Sequence, residues 1–76
     1  MPVDFSADAT LERTRPGAAP RAMHDETWSL ARALREFEAK PSAQRQQYSI
    51  LVGQRIYRPN ECEALLREPN FPRAEQ

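Results

Sequence analysis

The chain has 76 residues, enough for one small domain, and its mean hydropathy of -0.81 leaves little apolar surface for a core. The 11 basic and 11 acidic side chains give a formal net charge of zero, so no overall field attracts nucleic acid or an anionic membrane. No apolar run is long enough to cross a bilayer, and the first residues lack the pattern of a secretory signal peptide.

The single cysteine, Cys62, has no partner for an intramolecular disulfide, and small secreted domains usually depend on such bonds. We therefore expect a cytoplasmic protein. Every basic residue except Lys40 is arginine, which is typical of a GC-rich genome and suggests a bacterial or phage origin.

Residues 1–22 contain prolines, Gly17 and small or polar residues, with few large apolar side chains. Such a segment buries too little surface to offset its ordering entropy, so we predict a flexible or disordered arm. Phe5 and Leu11 are its candidates for docking to a partner.

The first helix is predicted over residues 25–40, with Asp25 as its N-cap and Pro41 as its stop signal. Helical spacing places a core stripe on one side of it, formed by Met23, Thr27, Leu30, Leu34 and Phe37.

Trp28 falls outside this stripe and shares its side of the helix with Arg32 and Arg35. Exposed tryptophan and arginine are the residue types that most often anchor protein interfaces. The pattern therefore predicts a partner-binding surface at these three residues. Burial of Trp28 under another part of the chain is the alternative interpretation.

The second unit opens at Ser42, and its glutamine-rich beginning favours a short helix that ends near Gly53, followed by a connector to Pro59. An alternative places strands at residues 48–52 and 55–58, because Gly53-Gln54 suits a type II′ hairpin turn. We adopt the helix here.

The third unit is a short helix capped by Asn60, with Glu63 at the capping-box position and Pro69 after its end. Its predicted apolar edge consists of Cys62, Leu65 and Leu66. Phe71 is expected to fold back on the bundle, and residues 73–76 are expected to form a disordered tail.

No motif predicts catalysis. His24 is followed by Asp25 and Glu26, but consecutive residues at a helix start point in different directions. One cysteine and one histidine do not supply zinc spacing, and the two glycines form no phosphate-binding loop. We expect neither enzyme activity nor a metal, cofactor or small-molecule substrate.

These patterns together predict an all-α fold: a three-helix mini-bundle over residues 23–72, made of a helix, a short helix, a connector and a short helix, behind the flexible arm. Its predicted function is that of a small non-enzymatic protein-binding module, such as an adaptor, accessory subunit, inhibitor or chaperone-like regulator. The partner would be another protein or a second copy of the chain.

The alternative function is DNA binding by a helix-turn-helix over residues 42–67. Its candidate contacts are Arg45, Gln46, Arg55 and Arg58. The zero net charge argues against it, and Glu61 and Glu63 would repel phosphates at the start of the recognition helix.

Overall fold

The computed structural model describes residues 3–72 and shows a mixed α/β fold with an antiparallel sheet. The all-α prediction is therefore wrong. In chain order the elements are β1 (Asp8–Arg13), β2 (Arg21–Ala22), β3 (Trp28–Ser29), α1 (Leu30–Glu38), a 3-10 helix (Ser42–Gln47), β4 (Tyr48–Val52), β5 (Arg55–Tyr57) and α2 (Pro59–Leu66).

Strand β1 is central to the sheet. It pairs antiparallel with β4 along one edge, where Leu11 lies opposite Ile50, and β5 follows β4. Along its other edge β1 pairs first with β2 and then with β3. The chain from β2 to β3 therefore forms one interrupted strand that runs beside β1.

The flexible N-terminal arm is the largest error of the sequence-based prediction. Ala9 and Leu11 of β1 are 3% and 1% exposed, because alternate residues of the strand face the helices. Pro16 and Gly17 form a tight turn in which the N–H of Ala18 donates to the carbonyl of Arg15 at 3.1 Å. Gly17 has φ of 78°, so this turn has the features of type II.

The hairpin alternative for residues 48–58 is confirmed, and the predicted second helix with its connector is wrong. Val52 pairs with Arg55, which leaves Gly53 and Gln54 as the turn. Gly53 has φ of 62° and Gln54 does not have a positive φ, as a type II′ turn requires. The helix-forming residues before β4 make only a 3-10 helix with no buried residue.

Helix α1 is confirmed for residues 30–38, but it begins at Leu30 because Trp28 and Ser29 pair with β1. The cap is Ser29, whose Oγ accepts from the N–H of Arg32 at 3.2 Å, and Asp25 does not cap the helix. Leu30, Leu34 and Phe37 are buried as predicted, while Met23 is 43% exposed.

Helix α2 packs against α1 and the sheet through Cys62, Leu65 and Leu66, which are buried as predicted. Its N-terminus is held by Glu61, whose Oε1 accepts from the N–H of Arg58 at 2.9 Å, in place of the predicted Asn60 cap. Phe71 folds back as expected and contacts Phe5, with ring centroids 5.3 Å apart.

The fold thus has two layers. Both helices cover the sheet face that carries Ala9, Leu11, Tyr48 and Ile50, and the core lies between the layers. The opposite sheet face carries partly exposed residues such as Thr10 and Leu51. Within residues 3–72, none of the helices has the length and apolar character needed to cross a membrane. The predicted tail, residues 73–76, lies outside the described part of the chain.

Candidate functional site

The interrupted edge strand beside β1 contains a bulge between β2 and β3. From Arg13 to Ala9, β1 takes four residue steps, while the partner segment takes seven steps from Arg21 to Trp28. The extra residues cannot continue the ladder, so they leave the plane of the sheet. This bulge brings His24 and Glu26 against Trp28.

His24 fills the gap that the bulge opens in the ladder. The N–H of Leu11 donates to Nε2 of His24 at 3.0 Å, and Nδ1 of His24 lies 2.6 Å from the carbonyl oxygen of Glu26. Because Nε2 accepts, Nδ1 must carry the proton and donate to that carbonyl. Both ring nitrogens are therefore used structurally, which does not fit a general acid or base.

Trp28 is half-buried, with its ring packed partly against the core and partly against neighbouring polar side chains. The His24 ring stacks on it at a centroid distance of 3.6 Å with an interplanar angle of 6°. The guanidinium of Arg32 lies 4.6 Å from the indole centroid, within the range of a cation–π contact.

Glu26 joins the tryptophan and the arginine through one carboxylate oxygen. Its Oε2 accepts from Nε1 of Trp28 at 3.1 Å and lies 3.6 Å from Nη1 of Arg32. We call His24, Glu26, Trp28 and Arg32 the Trp28 cluster. It holds an indole and a guanidinium in fixed positions on the surface.

The remaining predicted partner-binding residues do not join this cluster. Arg35 is exposed, and its Nη1 donates weakly to the carbonyl of Pro72 at 3.4 Å, beside a shallow cavity that Phe5 also lines. Phe5 and Leu11 are 8% and 1% exposed and belong to the core. A flexible arm therefore does not present them, because Leu11 lies in β1 and Phe5 packs on Phe71.

The residues named for the DNA-binding alternative are dispersed, and segment 42–67 does not form a helix-turn-helix because it contains a hairpin and only one α-helix. Arg45 stabilises the C-terminal end of α1, because its guanidinium donates to the carbonyls of Lys40 and Glu38 at 3.0 and 2.7 Å. Arg55 lies 4.6 Å from the Tyr57 ring centroid and 3.9 Å from a carboxylate oxygen of Glu61. Gln46 and Arg58 line a cavity whose wall also includes Ser49 and Ile56.

Cys62 is unsuited to nucleophilic chemistry. Burial, reinforced by the charges of Glu61 and Glu63, raises the pKa of its thiol to about 12. Its Sγ donates to the carbonyl of Tyr57 at 3.5 Å. Among the described residues there is also no group of three histidine, cysteine or acidic side chains that could hold a metal ion.

Sequence reasoning missed a cavity of about 620 Å³ at the β1–β2 hairpin. Its basic lining residues are Arg13, Arg15 and Arg21, and the rest of its lining is Ala18, Ala19, Pro20, Ala22 and Met23. The Pro16-Gly17 dipeptide, between an alternating segment and further arginines, is the turn signal that could have revealed it. We call this feature the arginine cavity.

Comparison with protein-family models, with curated proteins and with solved structures found no match to this chain.

Proposed function

We propose that this protein is a small non-enzymatic domain that binds another protein through the Trp28 cluster. The observation that carries the proposal is the bulge beside β1, where the Arg32 guanidinium lies over the Trp28 indole at the surface. Tryptophan and arginine are the residue types most enriched among the energetically dominant residues of protein interfaces.

The fixed geometry supports a binding role because association costs less when side chains are already ordered. Immobilising a flexible side chain at an interface costs roughly 0.5–1.5 kcal/mol. Arg32 is exposed, yet its guanidinium is held by both the Trp28 ring and the Glu26 carboxylate. A partner that covers this cluster therefore meets an arginine whose conformation is already restricted.

The chemistry of the described residues supports binding over catalysis. His24 uses both ring nitrogens to complete the fold, and the Cys62 thiol is buried with a raised pKa. These are the residue types that most often act as general base and nucleophile. We also propose a cytoplasmic location, since the lone thiol needs no oxidising compartment.

The test is a comparison of three immobilised proteins in lysate from the native cell: the wild type, Arg32→Ala and Arg67→Ala. Arg67 is an exposed arginine at the end of α2, so its replacement makes the same change of charge away from the cluster. We expect a protein retained by the wild type and by Arg67→Ala to be lost with Arg32→Ala.

Self-association is examined with the same variants by light scattering after size-exclusion chromatography. A wild-type dimer that Arg32→Ala converts to a monomer would identify the partner as a second copy of the chain. A monomeric wild type whose retained proteins are the same for both variants would refute binding through the Trp28 cluster.

A further inference from the structure

The arginine cavity concentrates positive charge in a chain whose net charge is zero. Its three arginines come from β1, from the turn and from β2, and none of the acidic residues within 3–72 lines it. Glu12 is adjacent to Arg13 in sequence, but successive residues of a strand face opposite sides of the sheet, and Glu12 lines a separate cavity. Within the described part of the chain, no carboxylate of the wall therefore neutralises the cavity.

The two ion pairs found among residues 3–72 are Arg32 with Glu26 and Arg55 with Glu61, so neither involves an arginine of the cavity. Arg13 is positioned instead by a neutral group, since its Nε and Nη2 donate to Oε1 of Gln47 at 3.1 and 3.0 Å. Gln47 fixes the guanidinium without cancelling its charge.

Arg13 and Arg21 are direct cross-strand partners in the β1–β2 ladder. Like charges that lie directly opposite each other destabilise a sheet. An anion bound between them would remove this repulsion, so the free domain carries an unfavourable arrangement that an acidic ligand relieves.

The hairpin that carries these arginines is fixed at several points. The turn at Pro16 and Gly17 closes through the hydrogen bond from Ala18 to Arg15. On either side, the N–H of Thr14 donates to the carbonyl of Gln47 at 2.7 Å, and the N–H of Met23 donates to the carbonyl of Leu11 at 2.9 Å. The cavity is thus formed by tethered backbone.

The size and the remaining lining of the cavity indicate a ligand larger than a simple anion. A volume of about 620 Å³ is within the range of roughly 300–1,000 Å³ that accommodates drug-sized molecules. The wall also contains small apolar residues and Met23, which is 43% exposed although it is a large apolar side chain. Such a wall suits a ligand that carries an apolar group beside its negative charge.

We propose that the arginine cavity binds a protein segment in which carboxylate side chains lie next to an apolar side chain. The carboxylates contact Arg13, Arg15 and Arg21, whose guanidinium groups can donate paired hydrogen bonds, and the apolar side chain packs on Met23. This site is separate from the Trp28 cluster and stands whether or not that cluster binds a protein.

The test uses fluorescence anisotropy with a short labelled peptide that carries aspartates and leucines. Matched peptides replace the aspartates with asparagine or the leucines with serine, and inorganic phosphate and a short DNA duplex serve as competitors. We expect the aspartate–leucine peptide to bind best, and each replacement to weaken binding about tenfold or more.

The double variant Arg15→Ala, Arg21→Ala is expected to weaken peptide binding about a hundredfold, and Met23→Ala about threefold to tenfold. Arg67→Ala is the control for net charge and is expected to bind as the wild type does. Circular dichroism of each variant verifies that it remains folded, and the exposed positions chosen make this the expected result.

The single variants Arg15→Ala and Arg21→Ala each remove one charge, as Arg67→Ala does. Equal weakening by Arg67→Ala and by either of these two variants would reduce the effect to general charge attraction and overturn the proposal. If the asparagine peptide binds as tightly as the aspartate–leucine peptide, carboxylates are not what the cavity recognises. If the serine peptide binds as tightly, the apolar side chain is not part of the recognition. Tighter binding of phosphate or of the DNA duplex than of the peptide would assign the cavity to a different class of ligand.

Discussion

The backbone N–H of Leu11 donates a hydrogen bond to Nε2 of His24 at 3.0 Å, so a side chain completes the ladder of the central strand. The bulge beside β1 removes the carbonyl that an uninterrupted neighbouring strand would provide. Leu11 is 1% exposed, so its N–H needs a partner within the protein. The bulge and His24 therefore depend on each other.

Replacing His24 with alanine should lower the free energy of unfolding by about 1–3 kcal/mol, because the buried N–H of Leu11 loses its acceptor. His24→Gln provides a matched control, since a glutamine carbonyl can reach a similar position and should recover part of the loss. Chemical denaturation measures both effects, and hydrogen exchange should show a faster Leu11 amide in the alanine variant. Unchanged protection of that amide would contradict the assigned hydrogen bond.

Gly53 should be the residue of the β4–β5 turn that is most sensitive to substitution. Its φ of 62° is strained for any residue with a side chain, although a Cβ there would meet no atom within 4 Å. Gly53→Ala should therefore cost about 1–2 kcal/mol of folding free energy from backbone strain alone. Gln54→Ala in the same turn is the control and should change stability by less than about 0.5 kcal/mol.

The Gly53 turn could be predicted from the sequence, whereas the hydrogen bond between Leu11 and His24 could not. The turn at Gly53 depends on neighbouring residues, and the type II′ hairpin was already an alternative on sequence grounds. The bulge that aligns His24 with Leu11 depends on how two segments pair across thirteen positions of sequence. No local pattern encodes that register.

The flexible arm predicted for residues 1–22 was wrong for the same reason: strand β1 depends on long-range pairing and not on a local pattern. Ala9 and Leu11 form a weak alternating pattern that becomes a strand only because β4 and the helices cover it. The helical periodicity of Leu30, Leu34 and Phe37 was strong enough to predict α1 without that context. Trp28 does contact Arg32, as its grouping with that arginine implied. The helical spacing used for the grouping does not apply, however, because Trp28 lies in β3 and not in α1.

Arg32→Ala should change the free energy of unfolding by less than about 1 kcal/mol, since its cation–π contact and its ion pair are exposed to solvent. Trp28→Ala should cost more, about 2 kcal/mol, because the half-buried indole packs on the core and supports the His24 ring. Thermal and chemical unfolding of the two variants measure this difference. Equal costs would mean that Trp28 contributes no packing.

The Cys62 thiol should make stability depend on pH in the alkaline range. Its pKa is raised from 9.0 to about 12 by burial, so the folded state favours the neutral thiol. The stabilisation is fully present below pH 9.0, where the unfolded thiol is also protonated, and is lost as the pH rises towards about 12. Subtracting the unfolding free energies of Cys62→Ala from those of the wild type isolates this dependence from other groups. A constant difference between the two proteins over that range would contradict it.

Arg21 should lower the stability of the free domain, because it lies directly opposite Arg13 in the β1–β2 ladder. Arg21→Thr removes this repulsion and introduces a good strand former, so it should raise the free energy of unfolding by about 0.2–1 kcal/mol. The gain should shrink at high salt, which screens exposed charges. Arg55→Thr is the matched control for strand propensity: Arg55 lies opposite the uncharged Val52 and near Glu61, so this variant should show no charge-dependent gain. A gain of equal size and equal salt dependence in both variants would show that strand propensity, and not the repulsion between Arg13 and Arg21, determines the effect.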